Sequence, residues 1–358
     1  MDSMKEKIFD LIASIKPYDE MEQKHLQNIS NRLASDEEAL PLIAPRNSPK
    51  RLLSRFVFFD IDESKILLLN QRKSDLWLPL EGCLHLKKDF AATIKRAVLE
   101  KLRMETDLLF PSPVFLSQRK TGSLTENHID ISLWYILKGC SNTPLEFDKG
   151  EFSEIRWFAP NEIPFKKSDP HMQRFIDKLS NRKEDDKKWL DAKYLKKGTK
   201  TQRELWKILK KTNILHLLNK YNPVLIGTIP IDIDIKGSDV DIACETYDFA
   251  SFIEDLKGLF PTIAIKKKKR AVIGRIKIDP FDFEIYGEAK PVHQQNGFVH
   301  MVVEAQLLSL GGNKMRQKIR NLKSSGIKTE PAFAKYLAIQ GDPYQKILSI
   351  SKFTEKIR

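Results

Sequence analysis

At 358 residues the chain is too long for one ordinary core and calls for two domains. Its composition, 41% hydrophobic and 30% charged, is that of a soluble globular protein, and no apolar run approaches the ~18 residues of a membrane-spanning helix. The net charge of +13 points to a polyanionic partner, namely a nucleotide, another phosphorylated small molecule or RNA. Nucleotide comes first, because the basic runs lack interleaved stacking aromatics; nucleic acid is the second candidate partner. The first twenty residues mix charges without a long apolar stretch, so no signal peptide is expected. Cys83, Cys140 and Cys244 form no CxxC pair, which argues against a disulfide framework or a cysteine zinc site and for a reducing cytoplasm.

In chain order, Ile8, Leu11, Ile12 and Ile15, then Met21, Leu26, Ile29 and Leu33, recur at helical spacing on either side of Pro17. Residues 1–39 are thus a helical extension, followed by a loop with three prolines at 36–50. Strands are expected at Phe56–Asp60 and Lys65–Leu69 around a turn at 61–64, then a loop holding Trp77 and Pro79, then a helix over Phe90–Met104. Further strands are expected from Asn127 and at Glu154–Phe158, and a short helix over Pro170–Leu179.

Residues 82–104 have the spacing of a Nudix box, which runs Gly, five residues, Glu, seven residues, then Arg-Glu-apolar-x-Glu-Glu-x-Gly-apolar. Gly82, Arg96, Val98, Glu100 and Met104 fit their positions. Over about residues 40–180 the chain therefore resembles the Nudix hydrolases, which implies an α/β/α sandwich. The resemblance also implies glutamates on the helix holding Mg²⁺ against a diphosphate. Here Lys88, Ala97, Lys101 and Arg103 replace a glutamate, a glutamate, a glutamate and the glycine, and Glu100 alone remains. Cations at those places oppose a metal ion. The expectation is a vestigial box (Gly82, Arg96, Glu100) on a scaffold that binds a phosphorylated ligand, with Lys88 and Lys101 meeting the phosphate. Glu151 and Glu154 are the carboxylates that could compensate.

From Asn181 to Lys211 there are twelve Lys or Arg against five Asp or Glu, so residues 181–200 read as a basic linker. A helix is expected at 201–219. The apolar run Val224-Leu225-Ile226 reads as a buried strand and Gly227-Thr228 as the turn after it. Ten residues on, Asp239 and Asp241 stand two apart, on one face of a strand. Two like charges so close call for a cation, and Mg²⁺ takes hard oxygen ligands and substrate phosphates together. A glycine turn lets backbone N–H groups approach a phosphate. A helix at Phe249–Leu259 and strands at Thr262–Ile265, Ala271–Ile278 and Phe281–Tyr286 follow, with the run KKKKR at 266–270 read as a solvated loop.

The Gly-Thr turn, spacer and Asp-x-Asp resemble the signature of the polymerase-β-type nucleotidyltransferases. That family needs a third carboxylate from a later strand, and Glu284 is the candidate, with Asp282 behind it. The segments GTIPIDIDIKGSDVDI, FDFEIYG, HMVVE and GIKTEPAFA resemble a domain family of unknown function, DUF4269, over roughly 200–350. The resemblance implies a nucleotidyltransferase-like mixed sheet with helices over 201–358. It also implies Asp239, Asp241 and Glu284 as catalytic and metal-binding residues, Mg²⁺ or Mn²⁺ as cofactor, and Gly227, Thr228, Ser238 and Arg275 around the substrate. His300 reads as a structural hydrogen-bonding residue. Lys328 and Thr329 are alternatives for phosphate, Thr329 otherwise capping a helix that Pro331 opens. The fold class expected is α+β in two domains.

Three functions follow. The first is a Mg-dependent nucleotidyltransferase acting on an NTP and an unknown acceptor. The second is a Nudix-type hydrolase of a nucleoside diphosphate derivative. The third is a non-catalytic nucleotide-binding or scaffold protein.

Overall fold

The computed structural model describes residues 2–34, 50–83, 90–121, 128–180 and 187–355. They divide into two compact units, one drawing on Met1–Ser180, the other on Asn181–Leu308 and Met315–Ser351. Both are mixtures of helices and a sheet, and no described helix is long and apolar enough to cross a membrane.

The first unit opens with α1 (Asp2–Ala13) and α2 (Glu20–Ala34), whose Ile8, Ile12, Ile29 and Leu33 are buried as their spacing predicts. Its sheet contains β1 (Lys50–Asp60), β2 (Lys65–Gln71), β3 (Leu76–Leu78), β4 (Leu80–Cys83), β5 (Phe115–Thr121), β6 (His128–Lys138) and β7 (Phe152–Phe158). The order is β3-β2-β1-β6-β5, with β4 pairing β1 and β7 pairing β2. β1 and β6 run parallel over ten residue pairs at the centre. Residues 56–59 of β1 and 133–137 of β6 are buried on both faces, so these stretches read as continuous apolar runs rather than as alternation. Trp77, expected in a loop, lies instead in β3 and packs edge-on against Phe158 at 5.0 Å. The helix α3 (Phe90–Leu102) turns Ile94, Val98 and Leu102 inward, one face at four-residue spacing. The helix α4 (Met172–Ser180) places Phe175 against Trp134, ring centroids 4.9 Å apart.

The second unit begins inside the expected linker. Ala192 and Leu195, in a 3-10 turn over Ala192–Lys197, are buried with Leu205 and Leu209 in its core. Lys193, Lys196 and Lys197, three of the lysines that suggested a linker, are the exposed side of that turn, and its apolar positions were the better signal. The expected 201–219 helix is two pieces, α5 (Lys200–Thr212) and α6 (Ile214–Leu217), because Asn213 adopts a left-handed conformation between them. A capping box starts α5: Thr199 accepts from the Gln202 amide while Gln202 reaches back to Thr199.

The sheet of this unit contains β8 (Val224–Ile226), β9 (Val240–Glu245), β10 (Ala264–Lys268), β11 (Ala271–Ile278) and β12 (Phe281–Glu288), in the order β10-β11-β12-β9-β8. Most of the KKKKR run is therefore the edge strand β10, not a loop. β9 and β12 are parallel neighbours and the other pairings are antiparallel. The helix α7 (Phe249–Leu259) lies over one face, where Gly274 and Gly287 admit Leu256 and Phe252. The chain continues as α8 (Asn296–Ser324), broken at Gly312, then α9 (Thr329–Leu337) and α10 (Pro343–Glu355).

Candidate functional site

The face of the second sheet opposite Leu225, Ile242 and Ile285 carries the charged residues. Pairing register fixes which side chains share that face, since directly paired residues point the same way. One row across the sheet reads Ile226, Asp241, Glu284, Arg275 and Ala264. Glu284 is thus the direct neighbour of Asp241. The burial of β12 alternates as its sequence does, with Phe281, Phe283 and Ile285 inward and Asp282 and Glu284 on the row's side.

Asp241 opens toward the turn after β8. Gly227 has φ +85, and a Cβ there would lie 2.2 Å from Asp241 Oδ2, so the backbone and the carboxylate touch in a way only glycine permits. Asp239 stands just before β9 rather than within it, and it is exposed. Burial, then Glu284, then Asp239 push the Asp241 carboxyl up to about 7, against a weaker opposing pull from Lys323. Burial, Glu284 and Asp282 also raise Asp239. The carboxyls of Asp239, Asp241 and Glu284 thus disfavour one another's ionisation.

Arg275 is paired within the row. Its Nη2 and Nε lie 2.7 and 2.9 Å from Glu284 Oε2, so this guanidinium faces the third carboxylate rather than open space. The oxygens of Asp239, Asp241 and Glu284 do not all gather within 4.8 Å of one another. Ser238 Oγ accepts from the Ile235 amide at 2.9 Å and so staples its own loop. The Thr228 carbonyl accepts from the Ile233 amide at 3.1 Å, which closes the turn.

That turn is held by residues the sequence reading passed over. Arg316, Arg320 and Lys323 recur on one face of α8. Arg316 donates to the Ile231 carbonyl, Arg320 pairs with Asp232, and Lys323 Nζ donates to the Ile233 carbonyl at 2.9 Å. Gln202 of α5 donates to the carbonyls of Ile229 and Pro230 from below. Lys323 is buried, which pulls its ammonium below the usual lysine range, while Glu304, Asp234, Asp241 and Glu330 act the other way. Their helical spacing was visible, but as part of a basic helix it carried no sign of what it faced.

His300 makes the structural hydrogen bond expected of it, Nδ1 to Glu330 Oε1 at 2.9 Å. Thr329 does not cap α9; Lys328 occupies that position and Thr329 is already helical.

In the first unit Gly82 lies on β4, where a Cβ would press on the Phe56 ring at 2.8 Å. Arg96 and Glu100 are exposed on α3 and pair with each other at 3.6 Å. Lys101 pairs with Glu151 at 2.8 Å, so Glu151 is drawn to a lysine rather than to Glu100. Arg103, at the box's glycine position, keeps the left-handed conformation with φ 48. Lys88 lies outside the described residues. Beside α3 a cleft of about 840 Å³ is lined by Lys95, Arg96, Arg103 and Lys138 among others.

Residues 207–350 match the family described as "Domain of unknown function (DUF4269)". The carboxylate row, the Gly227 turn and α8 all fall within this DUF4269 domain. Comparison with curated proteins finds no match. Among solved structures the chain is similar in part to a hydrolase of the NUDIX family from Clostridium perfringens. The identity is 16%, over 35% of this chain and 91% of that one, with a TM-score of 0.27. It is also similar to the dihydroneopterin triphosphate pyrophosphohydrolase of E. coli (14% identity, 32% and 88% covered, TM-score 0.27). A third is the NUDIX domain of Shewanella oneidensis NrtR, solved with ADP ribose (16% identity, 35% and 82% covered, TM-score 0.24).

Proposed function

We propose that the DUF4269 domain is a metal-dependent nucleotidyltransferase-like site that transfers a nucleotidyl group from an NTP to an acceptor. The observation that carries this reading is the register pair of Asp241 and Glu284, set against the Gly227 turn. Ionising a buried carboxyl beside two others is unfavourable unless a cation shares the site. The donor set fits a hard cation, being three carboxylates with no sulfur or nitrogen among them. Asp239, Asp241 and Glu284 would hold Mg²⁺ or Mn²⁺, which supplies positive charge for the phosphate oxygens.

The chain's own residues do the rest. Glu284 turning to a cation releases Arg275, whose planar guanidinium then suits a phosphate. The Gly227 backbone gives the phosphate a close approach that a side chain would block. Arg316, Arg320 and Lys323 keep the 229–234 loop in place and so position the turn. In the first unit Arg96, Arg103 and Lys138 line a cleft suited to a phosphorylated ligand, and the pairing of Glu100 with Arg96 speaks against a hydrolytic metal there.

Incubation of the full chain with each labelled NTP, Mg²⁺ and a cell extract, with products followed by mass spectrometry, tests this reading. Asp241→Asn should abolish label transfer and leave the fold intact. Transfer at the wild-type rate in that variant would sink the proposal, as would Mn²⁺ found at Glu100 instead of beside Asp239 and Asp241.

A further inference from the structure

Among the described residues, one trio of metal-ligating side chains gathers its donor atoms within 4.8 Å of one another: His300, Glu304 and Glu330. None of the three belongs to the carboxylate row. His300 and Glu304 are four residues apart on α8 and so share a face, and Glu330 comes from the first turn of α9. His300 is 7% and Glu304 4% exposed. Two of their atoms, His300 Nε2 and Glu304 Oε1, are buried with no hydrogen-bond partner.

That combination is costly as it stands. A buried polar atom without a partner is destabilising. Lys323, whose charge acts on Glu304, donates to the Ile233 carbonyl. The histidine is meanwhile already oriented, since Glu330 holds Nδ1 at 2.9 Å and the Tyr344 ring stacks on the imidazole at 6.2 Å. That contact sets a Glu330 oxygen beside Nδ1, the ring nitrogen that an ion shared with Glu330 takes. Donors about 2.1 Å from one ion lie roughly 3.4 Å apart, so a trio within 4.8 Å closes on it by side-chain movements of up to about 1.4 Å.

We infer that His300, Glu304 and Glu330 form a second cation site in this domain, one for a divalent transition metal such as Zn²⁺. One imidazole nitrogen with carboxylate oxygens suits zinc, cobalt or manganese better than Mg²⁺, which prefers oxygen alone. The ion ties the start of α9 to α8, and the site is independent of the nucleotidyltransferase reading.

The test uses the full chain stripped with a chelator and titrated with Co²⁺ and Zn²⁺, read by cobalt absorption and by bound-metal content. The wild type should bind one equivalent at this site, and Asp241→Asn should retain it. Glu304→Gln and His300→Gln should each weaken it at least about tenfold. Glu304→Gln removes a buried carboxyl and keeps the shape, so the metal-free variant should melt no lower than the metal-free wild type. No binding by the wild type would overturn the inference. So would unchanged binding in both Gln variants, or loss of the bound ion in Asp241→Asn with retention in His300→Gln.

Discussion

Replacing Gly227 with alanine tests whether the turn and Asp241 meet as described, and a second glycine supplies the control. Gly227 and Gly237 have nearly the same backbone, φ +85 and +84. An alanine at either position costs about 1–2 kcal/mol for the left-handed conformation. The surroundings differ. At Gly237 a Cβ would meet nothing within 4 Å, whereas at Gly227 it would stand 2.2 Å from Asp241 Oδ2 and 3.2 Å from its Cγ. The carboxylate must turn away, at a further ~0.5–1.5 kcal/mol for an off-rotamer side chain. Gly237→Ala should therefore destabilise the second unit by about 1–2 kcal/mol and Gly227→Ala by about 1.5–3.5. In an Asp241→Ala background the extra cost at Gly227 should vanish, leaving a coupling of about 1 kcal/mol. Urea titration read by hydrogen exchange of peptides covering β9 reports on this unit alone. Equal costs at the two glycines, or an extra cost at Gly227 over Gly237 that survives Asp241→Ala, would refute the contact and with it the close approach offered to a phosphate.

The first unit allows two more predictions. His171 is half-buried beside His25, its Nε2 bonded to the Gln118 carbonyl at 3.0 Å and its Nδ1 facing Arg174 at 2.9 Å, so a proton on Nδ1 is opposed. Burial lowers its pKa from 6.5, although Asp169 pulls the other way. The folded state thus binds the proton less readily than the unfolded chain. Stability should be full above pH 6.5 and should fall as the pH drops below it, and His171→Asn should flatten that slope in urea titrations at several pH values. A wild-type stability that does not change below 6.5 would contradict this. Glu22 is wholly buried, pairs with Lys178 at 2.9 Å and accepts from the Leu116 amide. Glu22→Ala strips both, and should cost about 3–5 kcal/mol, a melting loss of at least ~6 °C. A shift under ~2 °C would show that the pair contributes nothing.

Local signals in the sequence carried well where one strand or helix decides the matter. The alternation in Phe281–Ile285 set Asp282 and Glu284 on one face, and the strand Ala271–Ile278 and helix Phe249–Leu259 stand where periodicity put them. What failed depends on a partner remote in the chain. Arg275 was legible as a strand residue expected around the substrate, but its pairing with Glu284 is a property of the hairpin's register. His300 and Glu304 showed helical spacing, yet the group that makes them a site, Glu330, enters from the next helix. Trp77 and the lysines of β10 were misassigned because proline and charge resemble loop composition, while hydrogen bonding to a neighbouring strand overrode both.

The two ends of the second sheet bear on how copies of this chain can associate. One end is β8, three residues long; the other is β10, with Lys266, Lys267 and Lys268 in sequence. A short strand offers few free amides, and a lysine-rich one brings like charges together when a second copy pairs with it. Growth of the sheet by strand addition is discouraged at both borders. At high salt, where this repulsion is screened, β10 is the border that becomes permissive first. Any tendency of the protein to self-associate should therefore rise with ionic strength rather than fall.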